Sequence, residues 1–386
     1  MISGHAPPSI DGVSDYTAAL LDEMARQRPD WRWTWLSRRP RWFHSPVVLR
    51  QGYTLLRPTH TWNGRGPSLA IAALRALKPD LVHIQEQIHT YFETDAAERL
   101  AEAAGCPVVT TLHEYHVERP SAVHTTALLR RSTRIIANDS RNADRCRTEA
   151  GRQPDACWWS GSNVPPPEPS WKVEPVPGLV TTFGFISSLK ALNLVHEAVA
   201  ILRTTGRTET RWRLVGPFQP DTNAIHADLA REMSEDWVEF TGGFASVRDR
   251  KPRTLLAESS VMALPFVDGA SMRRSTLQAA WALGIPVVTT PPPVDEPEIV
   301  DGVNCLLVRE PSAEAWAAAI RRILEDPSLA ETLRRGSLAT AKRHDWSELS
   351  RRHLDLYDST LNAALLNAEP TAPVLLADVS GAPLEP

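Results

Sequence analysis

Short apolar runs rich in β-branched residues recur along the chain: LVHI at 81–84, PVVTTL at 107–112, RIIAN at 134–138, LVTTFGF at 179–185, RLVG at 213–216, VMALPF at 261–266 and PVVTT at 286–290. Amphipathic stretches of helical spacing separate them. Runs this apolar, alternating with helices, predict parallel strands buried on both faces and an α/β fold. The stretch NVPPPEPSWKVEPVPG at 163–178 has too much proline to continue a helix or an inner strand, and it divides the pattern in two. The same βαβ alternation flanks it on both sides. The chain therefore reads as two Rossmann-like domains facing across a cleft, over 1–164 and 178–345, with the chemistry expected in the cleft. Further helices are predicted at 312–327, 328–344 and 345–361. The segment 346–366 is expected to pack back on the N-terminal domain, and 367–386 loses periodicity and reads as a mobile tail.

Composition narrows the class. Of 386 residues 42 % are apolar and 23 % charged, which excludes bulk disorder. A net charge of −4 argues against coating nucleic acid or an anionic membrane by overall charge; peripheral membrane contact is allowed but nothing indicates it. The basic aromatic stretch RPDWRWTWLSRRPRW at 28–42 reads as a strand, because Trp31, Trp33 and Trp35 alternate with polar neighbours. Four scattered cysteines and no apolar leader or span fit a reduced, cytoplasmic protein. Only five of the 42 cations are lysines, so each lysine merits inspection.

Three segments carry candidate chemistry. In SGHAPPSIDGVSDYTAALLDEM at 3–24, Gly12 would let a ligand approach the backbone before a helix start. Taken alone, the segment fits an ordinary strand-to-helix turn capped by Ser14 or Asp15 better. In TTFGFISSLKALNLVHEAVAILRTTG at 181–206, Gly184 ends a strand and Lys190 opens a helix, where the macrodipole disfavours a cation unless an anion is bound. In VMALPFVDGASMRRSTLQAAWALGIPVVTT at 261–290, Arg273 and Arg274 precede a helix expected to be capped by Ser275 or Thr276, a combination of forked donors and dipole suited to an anion.

In this order and spacing, the segments resemble the family 4 retaining glycosyltransferases of GT-B fold, over about Ile2 to Tyr357. DGVSDYT at 11–17 is similar to the family's glycine-bearing turn, DLVHIQ at 80–85 to its Asp-x-Val-His strand, and PVVTTLHEY at 107–115 to the segment holding its active-site histidine, here His113. GFISSLK at 184–190 keeps the glycine and lysine of the donor loop. GIPVV at 284–288 and EIVDGVNCLLV at 298–308 resemble its late motifs. The chain departs from the family where Phe185 replaces the loop arginine and where the two donor-site glutamates fall on Ser271 and Ala279. Only Met1–Ile2 precede SGHAPP, fewer than the ~5–6 residues of a usual strand, so the first strand is expected to be incomplete.

The resemblance implies transfer of a sugar from a nucleotide diphosphate sugar to an unidentified acceptor, small molecule or glycan, with retention and without a metal or other cofactor. Lys190, Arg274 and His113 would be catalytic. Gly12, Gly184, Lys190, Ser271, Arg273, Arg274, Ser275 and Thr276 would bind the donor. The sequence holds no Asp-x-Asp pair to present a divalent ion, and HEYH at 113–116 lacks the spacing that puts two histidines on one helix face. His83 is expected at a strand end without a catalytic role. Two other readings are a non-catalytic nucleotide-binding or partner protein and a nicotinamide dehydrogenase. No Gly-x-Gly-x-x-Gly follows a strand, which argues against the second.

Overall fold

The computed structural model describes all residues except 10, 42, 166, 167, 169, 170, 245–248 and 368–386. All but the first residue of the expected tail thus lies outside the described residues. The N-terminal half comprises β1 (Ile2–Ser3), α1 (Gly12–Gln27), β2 (Trp33–Arg38), β3 (Val47–Arg50), β4 (Tyr53–Thr59), α2 (Gly66–Leu77), β5 (Val82–Gln87), α3 (Ala96–Ala103), β6 (Val108–Glu114), α4 (Ala122–Arg131), β7 (Arg134–Ala137), α5 (Ser140–Glu149) and β8 (Ala156–Cys157). The C-terminal half comprises β9 (Leu179–Phe183), α6 (Leu192–Thr204), β10 (Arg211–Val215), α7 (Ala224–Glu232), β11 (Val238–Phe240), α8 (Arg250–Ala257), β12 (Val261–Leu264), α9 (Ser275–Ala282), β13 (Val287–Thr289), β14 (Leu306–Leu307), α10 (Ala313–Glu325) and α11 (Pro327–Arg343); α12 (Trp346–Asn367) ends the described chain.

Each half is a sheet wrapped by helices. The first has the order β3-β4-β2-β1-β5-β6-β7-β8 and is parallel except for the β3–β4 pair; the second, β11-β10-β9-β12-β13-β14, is parallel throughout. The fold is thus α/β with two Rossmann-like halves. The apolar runs occupy inner strands covered on both faces: Val180, Val261, Met262, Val287 and Val288 are fully buried. β2 buries Trp33 and Trp35, while Trp31 lies just before it. The β3–β4 ribbon was not legible, because Pro58 interrupts β4. It is tolerated there since β3 pairs only as far as Leu56, and the β2 register shifts between Leu36 and Arg38.

Helix α12 lies against the N-terminal half. Leu349, Leu354 and Tyr357 share a core with Leu20, Met24, Trp33 and Trp35. His83 sits inside β5 and bonds the Tyr357 hydroxyl and, at 2.8 Å, Thr111 Oγ1; a second buried histidine, His353, stacks on it at 5.7 Å. His83 is therefore part of the seat of α12. Among the described residues no helix is long and apolar enough to cross a membrane.

One buried carboxyl in this half carries a prediction. Glu86 on β5 is fully buried, accepts one hydrogen bond from Thr125 Oγ1 at 2.8 Å, and its second oxygen has no hydrogen-bond partner. Burial pushes its pKa up to about 7. The unfolded chain ionises first, so stability falls as pH rises from the ordinary carboxylate range to about 7 and is then level. Glu86→Gln should raise the unfolding free energy at pH 8 by up to about 3 kcal/mol and leave it unchanged near pH 4. Denaturant melts at the two pH values check this; an equal effect at both contradicts it.

Candidate active site

The carboxyl ends of both sheets face each other, where open α/β sheets bind ligands. A cavity of about 310 Å³ lies between them. Asp11, Gly12, Tyr16, Gln87, His113 and Asn138 line it from the N-terminal half, Ser160 and Asn163 from the connection, and Phe185, Arg273 and Ser275 from the C-terminal half. Three larger cavities lie elsewhere: those of about 430 and 550 Å³ are lined by residues at the opposite, amino ends of the strands, such as Thr34 and Val82 in one and Gly178 and Pro286 in the other, and one of about 440 Å³ lies between the end of α1 and the start of α12, at Gln27 and Ser347. None of them joins the carboxyl ends of the two sheets.

On the N-terminal side, α1 begins at Gly12. The cap expected at Ser14 or Asp15 is instead Asp11, whose carboxylate accepts from the backbone N–H of Val13 at 3.3 Å and of Ser14 at 3.1 Å. A carboxylate already neutralises this helix start. A Cβ on Gly12 would meet nothing within 4 Å, so the backbone stays open to the cavity. His113, near the end of β6, is held on both ring nitrogens: Nε2 lies 2.8 Å from Gln85 Oε1, and Nδ1 accepts from Asn138 Nδ2 at 3.3 Å. This network assigns the Nε2–H tautomer. Burial first, then the His353 and Arg273 charges, draws its pKa down to about 3, so the ring is neutral near pH 7.

On the C-terminal side, Gly184, Lys190 and Thr276 meet. Gly184 has φ +104°, and a Cβ there would lie 2.6 Å from Thr276 Cγ2 and 3.0 Å from Lys190 Nζ. The Lys190 ammonium donates to the carbonyls of Phe183 and Phe185, each at 2.8 Å, and so closes its own loop. Burial, then the Arg274 charge, lowers its pKa to about 7. Phe185 is 56 % exposed at the cavity wall. Helix α9 starts at Ser275 with Arg274 in the cap position and no side-chain cap, in place of the Ser275 or Thr276 cap the sequence suggests.

The two arginines separate. Arg273 spans the cleft, with Nη2 3.2 Å from Glu114 and Nε 3.2 Å from Asp139, both in the N-terminal half, and a longer contact of 3.5 Å to Asp268. Arg274 turns back to Asp268 and stacks on Phe266 at 4.7 Å. Of the pair, Arg273 is the one that lines the cavity. Although burial raises it, the His116 imidazole at 3.2 Å and the Arg273 charge hold Glu114 well below the usual carboxylate range; Asp139 is raised by burial, partly offset by Arg273. Ser271 lies buried beside Asp139. A second bridge links the halves where Ser140 Oγ donates to Glu296 Oε2 at 3.1 Å. Burial first, then Asp139, pushes Glu296 up to about 7.

Glu114, Asp139 and Glu296 are the site residues that sequence reasoning missed. Asp139 reads as a helix cap, which it is, accepting from Asn142 N at 2.7 Å. Only the tertiary fold brings it to an arginine 134 positions later.

Comparison with known proteins matches the two halves separately. Residues 10–157 match the family model described as glycosyltransferase family 4, and residues 179–326 match that of glycosyl transferases group 1. A D-inositol 3-phosphate glycosyltransferase from a Nocardioides species is 29 % identical over 185 residues, and the match spans 45 % of this chain and 40 % of that protein. Among solved structures, HepE from Anabaena in complex with UDP and glucose has a TM-score of 0.68 at 16 % identity, covering 93 % of this chain and 99 % of its own. Sucrose-phosphate synthase from Thermosynechococcus elongatus has the same score and identity over 94 % and 99 %. These structures share the fold, and the cavity lies where the two matched segments face each other.

Proposed function

We propose that this chain, which belongs to the family 4-like glycosyltransferases of GT-B fold, moves a glycosyl group from a nucleotide diphosphate sugar to an acceptor, with retention of configuration and without a metal. The observation that carries this reading is the interdomain cavity, with Arg273 and the uncapped start of α9 on its C-terminal wall. The difficult step is departure of an anionic diphosphate from an oxocarbenium-like centre. Fixed donors aimed at that growing charge stabilise the transition state more than the ground state. Lys190, Arg273 and Arg274 supply the cations. Gly184, Ser271, Ser275 and Thr276 shape the diphosphate site around them, and Gly12 admits the donor to the backbone opposite. His113, neutral and fixed at both nitrogens, serves as a hydrogen-bonding group toward the sugar and acceptor. HepE binds UDP, which supports a uridine nucleotide as the first donor to test.

The second reading, a nucleotide-binding protein without turnover, is favoured by Phe185 at the place of the family's loop arginine and by the engagement of Arg273 with two carboxylates. Incubation with UDP-sugars separates the two. The transferase reading expects UDP release in the presence of EDTA, with the first sugar product carrying the donor's anomeric configuration by proton NMR. Tight UDP binding without any turnover favours the second reading.

Lys190 gives this reading a pH signature. With a pKa of about 7 in the free site, the amine is partly neutral near pH 7, and an arriving diphosphate favours the ammonium. UDP binding should therefore take up a proton, and affinity should fall as pH rises above about 7. Titration calorimetry in buffers of different ionisation enthalpy reads the uptake; identical apparent enthalpies at pH 8 contradict it.

A further inference from the structure

The order of the first sheet reverses between β1 and β5, so the loops after these strands open a crevice beside the cavity already described. His5 enters it from the loop after β1, Phe92 from the loop after β5, and Arg38 from the end of β2. Arg38 lies over the Phe92 ring at 5.1 Å, and His5 meets the same ring edge-on at 6.1 Å. Phe92 is 38 % exposed and, with Glu93, adopts a left-handed backbone (φ +59° and +56°), an unfavourable conformation for such side chains. The fold thus spends strain to present an aromatic face beside two basic groups.

Among the described residues no carboxylate lies within 4 Å of Arg38, and its buried Nε has no hydrogen-bond partner; nor has the buried Nε2 of His5. On the neighbouring strand Arg57, 1 % exposed, donates to the Pro7 carbonyl while its Nε and Nη1 remain unpartnered. The nearest acid, Asp11, lies 3.8 Å from His5 Nδ1 and is already engaged by two backbone N–H groups of α1. A buried donor without an acceptor costs about 1–3 kcal/mol, which an incoming anion would recover. Buried charges are ordinarily paired, and the planar fork of an arginine matches a phosphate.

We infer that the acceptor carries a phosphate group, held at the carboxyl ends of β1 and β5 by Arg38 with His5 beside it. The inference rests on the reading that the N-terminal half receives the acceptor. A phosphate offers three terminal oxygens to donors spread over two side chains and carries the charge that Arg38 lacks. Arg57 adds a second positive charge from β4. Phe92 covers the Arg38 guanidinium on one side and meets the His5 ring with its own. The same chemistry could reside on a free sugar or polyol phosphate or on a lipid head group.

The test is calorimetric binding of inorganic phosphate and of glycerol 3-phosphate to the full chain saturated with UDP, alongside sedimentation with vesicles of equal phosphatidylglycerol and phosphatidylcholine. UDP affinity is measured on every variant. The expected result is phosphate binding weakened about tenfold or more by Arg38→Gln, partly restored by Arg38→Lys, with UDP affinity unchanged. Vesicle binding that depends on Arg38 would assign the phosphate to a lipid; its absence, with glycerol 3-phosphate bound, would assign it to a soluble acceptor. Phosphate binding that is undetectable at millimolar concentration, or indifferent to Arg38→Gln, overturns the inference even where UDP binds. Loss of UDP binding by the wild-type chain would instead strike the transferase reading itself.

Discussion

Arg273→Ala should lower kcat/KM for the nucleotide-sugar donor by about 10²–10³-fold, the range for removing one preorganised donor from a developing charge. It should also destabilise the chain. Arg273 is the cation that meets Asp139, 1 % exposed, at 3.2 Å, and Glu114 at the same distance. Removing one partner of a buried pair leaves an uncompensated charge, at a cost of about 3 kcal/mol. A second substitution separates the two effects. Asp139→Asn removes the stranded charge and keeps an oxygen to cap α5, where the aspartate accepts from Asn142 N. The double variant should recover most of the melting temperature and none of the turnover. Recovery of both would make Arg273 a strut between the halves with no part in donor binding.

Gly216→Ala is expected to have the next largest effect. Gly216 follows β10, and a Cβ there would stand 2.1 Å from the carbonyl oxygen of Gly184 and 2.9 Å from its carbonyl carbon. Both contacts are backbone, so rotamer adjustment cannot relieve them. Gly184 is itself pinned, its N–H bonded to Val215 O at 2.9 Å and the space where a Cβ would stand filled by Thr276 and Lys190. The 184–190 loop must therefore shift as a unit, pulling Lys190 from the two carbonyls that hold it. Overpacking of this kind costs about 1–3 kcal/mol. UDP affinity should fall about tenfold or more, while hydrogen exchange in β5–β7 stays as in the wild type. Unchanged UDP affinity in a folded variant would remove this loop from the donor site.

The α/β class and the two halves were legible because inner parallel strands must be continuously apolar, and each such run from LVHI to PVVTT lies on or overlaps a strand. Edge elements were not. β3 exposes Leu49 at 80 %, and β11 and β14 are three and two residues long, so packing imposes little pattern on them. Helix starts were placed a few residues late at α1 because both Asp11 and Ser14 are good caps, and only the tertiary entry angle decides between them. In the site, residues close in sequence announced themselves: Gly184 and Lys190 share one loop, and Arg273 and Arg274 flank one helix start. Their partners did not. Glu114, Asp139 and Glu296 are ordinary polar residues locally, and they acquire a role only when the sheets face each other.

The cleft is expected to bind a nucleoside diphosphate through the Arg273 and Lys190 side of the C-terminal half. A thermal-shift panel of UDP, GDP, ADP, TDP and CDP, run on the wild-type chain and on the Arg273→Ala/Asp139→Asn variant, tests it most directly. A ligand at 100 times its dissociation constant adds ~2.7 kcal/mol of stability, a readily measured rise in melting temperature. One base, UDP first, should raise the wild-type midpoint, and the shift should disappear in the variant although the variant melts cooperatively. A wild-type midpoint unmoved by all five diphosphates, or an equal shift in the variant, contradicts it.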